Sequence, residues 1–455
     1  MEPYFQRIIR PHPKATGDRE HERGLETVSE LSTHNPIWDQ TRARRTGTFV
    51  YEDDTILIAT DFECGNGHRI RRLGSLEYMI EAEPEPGNHQ YGGWGYTFCF
   101  GLRNRQETGR QIRIRITTPP PEGKTAHDIF AQQTGHVVLR RSDTFSHLDP
   151  ANIEPLPEGN AVRLTLDLPA SGSHGPVLFV SNFHWHPVSE LGSWLAQLQN
   201  NPLVHVSAHG TSVADRPLWC LDIGPADATQ IVMAQTPQPS EMLGTWACRA
   251  VTDFLVSDDP EARRIRSCHH LTLLPATNPD GTVLGLGVSH PSGRFPYFEG
   301  LLTVDSPKSA LPEMAAVWRL LEQECPWLFV EWHGNNWSRR PGHMLLRYRP
   351  SLLAEGDTRT RWETFEATVE QLPNTHHGSW TSKDEGIYRE SIGFMAVTRL
   401  GCAAIMIKQH DKFPLAECGR HAVSCFRTAI AAYESVPAGK GTHSHHERLR
   451  RDDRP

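Results

Sequence analysis

Met233–Gly244 reads MAQTPQPSEMLG, and its setting decides how the second half of the chain is built. An apolar run, Gln230–Met233, leads into it, and a helix-like run, Glu241–Val256, leads out. Gln238 and Glu241 lie on the polar turn between the two. Four more apolar runs have strand character: Trp219–Ile223, His270–Leu274, Leu328–Trp332 and Ala403–Ile407. They are interleaved with segments of helical spacing at Ser189–Leu198, Pro312–Glu324, Trp362–Leu372 and Ala416–Tyr433. That order predicts an α/β domain with a mixed, largely parallel sheet. Such sheets gather their sites at the carboxyl ends of strands. Gln238, Glu241, Asn278, Asp280, His333 and Lys408 all fall there.

Upstream the pattern is different. Thr48–Tyr51, Thr55–Thr60, Leu76–Ala82, Tyr96–Leu102, Ile112–Thr117, Val137–Arg140, Ala161–Leu168 and Pro176–Ser181 are short runs separated by Gly, Asn and Pro clusters. They predict an N-terminal antiparallel β-sandwich over residues 47–182, ahead of an α/β domain over 183–436. Residues 1–46 read as a flexible arm and 437–455, with its HSHH, as a disordered polar tail.

The chain has 455 residues, long for one domain and comfortable for two. A formal charge of −8 argues against a general nucleic-acid binder. No apolar run reaches spanning length, and the N-terminus lacks an apolar signal core, so a cytoplasmic protein without a membrane partner is expected. The nine cysteines show no CxxC spacing and read as buried thiols. GGWG at 92–95 lacks the setting of a phosphate loop, SGSHG at 171–175 reads as a loop, and no GxSxG elbow occurs.

Five motifs in order carry a resemblance. They are DFECGNG (Asp61–Gly67), YTFCFGLRN (Tyr96–Asn104), the junction and helix Phe183–Leu198, NPDG (Asn278–Gly281) and WHG (Trp332–Gly334). Together they resemble the zinc carboxypeptidase family, and within it the cytosolic carboxypeptidase branch. In that branch a β-sandwich precedes a carboxypeptidase-like α/β domain. The resemblance implies zinc as cofactor and a peptide or other small substrate.

Carried over by position, the family's three zinc ligands fall on Gln238, Glu241 and His333. A family His is thus replaced by Gln238, whose neutral amide is a poor zinc donor. His290, His376, His377 and His410 are candidates to complete the set. The positions that clamp a substrate's terminal carboxylate fall on Val288, Tyr297 and Phe298 within GLGVSHPSGRFPYFEG, with Arg294 the cation nearby. The family's general base falls on Lys408, which offers an ammonium where a carboxylate is needed. Arg294, Tyr297, Arg347 and Asn278 are candidate substrate-binding residues, and Lys408 the candidate catalytic one. With Arg349, Arg294 and Arg347 suggest a cationic cleft suited to an anionic substrate, whereas Trp332 and Trp337 read as core. Loss of metal ligand, clamp and base together argues against a standard C-terminal exopeptidase. Two readings stay open: a divergent metal-dependent hydrolase of an amide or peptide bond, or a metal-free protein that binds a peptide or partner.

Overall fold

The computed structural model describes residues 49–435, apart from 84–85, 87–96, 119–135, 159, 171–176, 336–342 and several short pieces between 349 and 388. The N-terminal arm, the C-terminal tail, GGWG, SGSHG, Trp337, Arg349, His376, His377 and most of Trp362–Leu372 lie outside the described residues.

The first strands are Val50–Glu52 (β1), Ile56–Ala59 (β2), His68–Arg72 (β3), Glu77–Glu81 (β4), Cys99–Asn104 (β5) and Arg110–Thr117 (β6). Val138–Arg141 (β7), Thr144–His147 (β8), Ile153–Pro155 (β9), Ala161–Leu168 (β10) and Leu178–Ser181 (β11) follow. They form two sheets, ordered β1-β2-β5-β11-β7-β8 and β3-β4-β6-β10-β9. In β6, Ile112, Ile114 and Ile116 are buried and alternate with arginines, as a strand with one wet face requires. One apolar core joins Ile58, Phe100 and Val180 of the first sheet to Ile80, Ile114 and Leu164 of the second. The expectation of purely antiparallel pairing needs one correction: β4 and β6 run parallel. Between them the chain crosses to the other sheet as β5, so it returns in the same direction.

The remaining strands are His205–Thr211 (β12), Pro217–Ile223 (β13), Thr229–Gln235 (β14), His269–Leu274 (β15), Leu328–Asn335 (β16), Met344–Arg347 (β17), Ser379–Ser382 (β18) and Ala403–His410 (β19). They build a separate eight-stranded sheet, ordered β12-β13-β15-β14-β16-β19-β17-β18. Its centre, β15-β14-β16-β19, is parallel. Helices cover it: Val188–Leu198 (α1), Leu243–Leu255 (α2), Pro260–Cys268 (α3) and, later, Pro312–Glu324 and Leu415–Ser435. α1 buries Leu191, Trp194, Leu195 and Leu198, the apolar face its spacing announces. The eight-stranded sheet and its helices share one large core that includes Val232, Phe329, Trp332 and Ile405.

α2 lies close on β16. A Cβ at Gly244 would stand 2.4 Å from the Trp332 carbonyl oxygen, a contact backbone atoms cannot relieve cheaply. Alanine is the better helix former by about 1 kcal/mol, but overpacking costs typically about 1–3 kcal/mol. Gly244→Ala is therefore expected to lower stability, read as a lower urea midpoint at an unchanged denaturant slope.

The motif Asp61–Gly67 has a docking role. Cys64 N–H donates to the Val283 carbonyl at 3.1 Å, and Asn66 Nδ2 donates to the Gly285 carbonyl at 2.8 Å. Gly285 has φ +66°, and a Cβ there would meet the Cys64 and Gly65 carbonyl oxygens at 2.7 Å. Glycine is the residue that tolerates both demands.

Candidate functional site

Three strand ends meet at the carboxyl edge of the eight-stranded sheet. β14 ends at Gln235 and releases the loop that carries Gln238 and Glu241 into α2. β16 ends with Glu331, Trp332, His333 and Gly334, and in register beside it β19 carries Met406, Ile407 and Lys408. His333 and Lys408 are paired across the two strands, and Glu331 pairs with Met406. Side chains two apart on a strand share a face, so Glu331, His333, Met406 and Lys408 project together. Gly334 lets the loop close on them, since a Cβ there would lie 2.9 Å from Glu241 Cα.

Glu241 is the hub. Its Oε2 lies 2.6 Å from His333 Nδ1, and its Oε1 lies 3.7 Å from Lys408 Nζ. A carboxylate only accepts, so His333 Nδ1 carries the hydrogen and Nε2 the lone pair. His333 is fully buried, and its Nε2 has no hydrogen-bond partner among the described residues. Burial, helped by the Lys408 cation and opposed by Glu241, pushes the imidazole pKa down to about 4. Glu331, 3% exposed, is the residue sequence reasoning missed. Burial pushes its carboxyl pKa up to about 8, with Lys408 opposing and Glu241 adding. The clue was available: a lone acid two residues before His333 in an otherwise apolar strand falls on the face of His333.

One wall is aromatic. The Tyr297 ring meets His333 edge-on at 5.3 Å and Phe298 at 5.0 Å, and Phe298 meets Phe295 at 4.8 Å. Tyr297 is buried, and its hydroxyl points at Met406 Sδ, 3.7 Å away. Val288 is also buried.

Other expected site residues take different places. Gln238 is buried, and its side-chain oxygen accepts from Thr236 Oγ1 at 3.5 Å; no hydrogen bond to Glu241 or His333 side chains is formed among the described residues. Asn278 is buried and bonded within the fold. It caps the helix Pro279–Val283, accepting from Gly281 N–H, and its amide donates to the Pro237 and Ser289 carbonyls. Its short polar side chain is used up in tying three loop segments together. Arg294 does not stand free as an anion trap. It forms a forked pair with Glu299, with Nε–Oε1 at 2.8 Å, and Nη1 donates to the Ser309 carbonyl. The acid five residues on neutralises it. Arg347 lies in β17, paired with Ile405, and its side chain is outside the described residues. His410 is buried, with its backbone N–H donating to His343 Nδ1.

A second polar cluster lies behind NPDG. Asp280, His290 and Glu313 are buried with donor atoms within 4.8 Å of one another. The arrangement suits an ion-pair network better than a metal. Asp280 already accepts from Arg216 Nη1 at 2.7 Å, Ser212 Oγ at 2.8 Å and Ala214 N–H at 2.9 Å. His290 Nδ1 accepts from Ser292 N–H, which leaves the ring hydrogen on Nε2, 3.4 Å from Glu313.

The hub fits poorly with a catalytic zinc. Two ligands on one tetrahedral zinc stand about 3.3 Å apart, whereas the His333 and Glu241 donor atoms are in direct hydrogen-bond contact at 2.6 Å. The third position is an amide turned to Thr236, and an ammonium leans on the same carboxylate a metal would need.

Comparison with known proteins agrees with the architecture. Residues 191–289 match the family model of zinc carboxypeptidase. Cytosolic carboxypeptidase 2 of Macaca fascicularis is 22% identical over 322 residues, covering 63% of this chain and 36% of that protein. Cytosolic carboxypeptidase 6 of Caenorhabditis elegans is 21% identical over 251 residues, covering 50% of this chain and 51% of that one. The chain thus spans about a third to a half of the length of these relatives. A metallo-carboxypeptidase from Burkholderia cenocepacia shares the fold with a TM-score of 0.68 at 13% identity, over 84% of this chain and all of that one. One from Pseudomonas aeruginosa, solved with (2-guanidinoethylmercapto)succinic acid, gives 0.65 at 15% identity, over 82% of this chain and 98% of that one. No helix among the described residues is long and apolar enough to cross a membrane. Family model, curated relatives and solved structures converge on one statement: this chain resembles the zinc carboxypeptidases, and among them the cytosolic carboxypeptidases.

Proposed function

We propose that this chain is a cytoplasmic carboxypeptidase-fold protein that binds a peptide or protein segment without acting as a C-terminal exopeptidase. Its layout is read as a β-sandwich domain over 47–182 and a carboxypeptidase-like domain over 183–436. The observation that carries the reading is the Lys408–Glu241–His333 cluster. The Lys408 ammonium sits 3.7 Å from Glu241, in the role of counter-ion that the family gives to zinc. With Val288, Tyr297 and Phe298 at the clamp positions, no guanidinium is offered there to a terminal carboxylate.

One observation favours a second reading, an altered amide hydrolase. Glu331 is a buried acid beside the hub whose raised pKa keeps it protonated near neutrality, as a proton donor requires.

Zinc affinity separates the two. In chelator competition, Gln238→His combined with Lys408→Glu is expected to bind zinc at least about 100-fold more tightly than the wild type, since it restores an imidazole donor and removes the competing cation. The wild type is expected to release no amino acids from a mixed peptide library, with or without zinc. Tight stoichiometric zinc in the wild type, lost in His333→Ala, together with turnover of the library, would overturn the binding reading.

A further inference from the structure

A second group of metal-ligating side chains gathers on one face of the eight-stranded sheet, beside its edge strand β12. Asp222 of β13 stands directly opposite His205 of β12 on one side and Thr272 of β15 on the other. Residues directly opposite one another in paired strands share a face, and His270, two before Thr272, shares it too. His270 lies beside Gln230, near the amino ends of the parallel strands, whereas the hub lies at their carboxyl ends.

The His270 ring fixes the chemistry. The Gly224 carbonyl only accepts, so the ring Nδ1, 3.3 Å away, carries the hydrogen, and Nε2 of the neutral ring carries a lone pair. Nε2 stands 3.6 Å from Asp222 Oδ1. Two acceptors facing each other need a positive centre between them. A proton fits poorly, because 3.6 Å is too long for a hydrogen bond. A zinc-type ion fits well, since nitrogen and oxygen donors bound at about 2.0–2.2 Å stand about 3.3–3.6 Å apart. The hub pair, in contact at 2.6 Å, offers no such gap. Both donors are also held from behind, as metal ligands are. Thr272 Oγ1 donates to Asp222 Oδ1 at 2.9 Å, with Cys220 Sγ a longer donor at 3.8 Å, and the Gly224 carbonyl holds the ring. His270 and Asp222 are the two donors already at ion-sharing distance. His205 is exposed, and by turning its ring toward the Asp222 across from it becomes the third.

We infer that His205, Asp222 and His270 form a separate site for a divalent transition-metal ion of the zinc type, with water in the fourth position. Two imidazoles and one carboxylate are a donor set that suits zinc. Bound there, the ion ties the edge strand β12 to β13 and β15. The site goes beyond the proposed function and does not depend on it.

The test uses the full chain without an affinity tag and zinc as the probe. Histidines are carbethoxylated and mapped by peptide mass spectrometry, so that each one, those of the HSHH tail included, reports separately. Zinc is expected to protect His205 from labelling. Asp222→Asn keeps the size of the side chain and an acceptor for Thr272, and should weaken that protection at least about tenfold; Thr272→Val, which removes only the support of the carboxylate, should weaken it by about tenfold. His333→Ala should leave it unchanged, which tells this site from the hub. Zinc should also raise the thermal midpoint of the wild type, and do so less in His205→Asn, whose exposed position leaves the fold intact. A midpoint for each variant without zinc checks folding. No protection of His205, protection undiminished in Asp222→Asn, or protection lost in His333→Ala would each overturn the inference and leave His270 and Asp222 as an ion pair.

Discussion

Lowering the pH from about 7.5 to about 4.5 is expected to cost this protein about 2–3 kcal/mol for each histidine that stays buried and neutral. His136, His186 and, in the hub, His333 are the main contributors. Burial, partly offset by Asp411, pushes the His136 pKa down to about 3, and burial, partly offset by Glu190, pushes that of His186 down to about 4. Burial lowers His147 in the same direction. The sign follows from the direction. The unfolded imidazoles take up protons below about pH 6.5 while the folded ones do not, so stability is intact above that value and falls through the window down to the folded pKa values. The geometry agrees: Nε2 of both His136 and His186 is buried without a hydrogen-bond partner among the described residues, so neither has an acceptor ready for a new proton. Urea midpoints measured across this range should fall steadily. In His136→Asn the dependence should be shallower by close to one proton, and an unchanged slope would remove His136 from the account.

The second large effect is expected at Asp280. Its carboxylate is fully buried and holds Arg216, itself 5% exposed, together with Ser212 Oγ and Ala214 N–H. Asp280→Ala leaves a buried guanidinium facing an empty space, a loss of about 3–5 kcal/mol. Because the helix that contains Asp280 is capped by Asn278, which grips the Pro237 and Ser289 carbonyls, the damage should reach the loop of Gln238 and Glu241. Adding Arg216→Met to Asp280→Ala should restore much of the loss, because removing both partners leaves no orphaned charge. If the double variant is no more stable than the single one, Glu313 and His290 carry more of the Arg216 interaction than the contacts assign to Asp280.

Much of the fold was legible because burial writes a period into the sequence. The runs at 219–223, 230–233, 270–274, 328–332 and 403–407 all became strands of the eight-stranded sheet, each extended by one to three residues. β12 was not legible: HVSAHGT is an edge strand with no buried residue, so nothing apolar alternates in it. α3 was missed although its signals were present, with Asp259 as a side-chain cap and Pro260 at the first turn. In the site, the family resemblance pointed to Glu241, His333 and Lys408, which the fold joins in one cluster. It could not reveal that Glu299 would claim Arg294, nor that Asn278 would spend its amide on loop carbonyls. Those are outcomes of tertiary packing, decided by which neighbour arrives first within hydrogen-bond distance. Glu331 is the opposite case, since strand period alone places it.

Asp411 follows closely on Lys408 along the chain, just past the end of β19. Its carboxylate accepts from the His184 backbone N–H at 2.9 Å and lies 3.0 Å from His184 Nδ1, and its carbonyl lies 2.6 Å from His147 Nε2 on β8. The strand that presents the lysine is therefore moored to the other half of the molecule at its last turn. A chain severed at residue 182 would leave that mooring half undone, with the β8 partner gone. A change at His147 is therefore expected to alter the footing of Lys408 without touching the cluster itself.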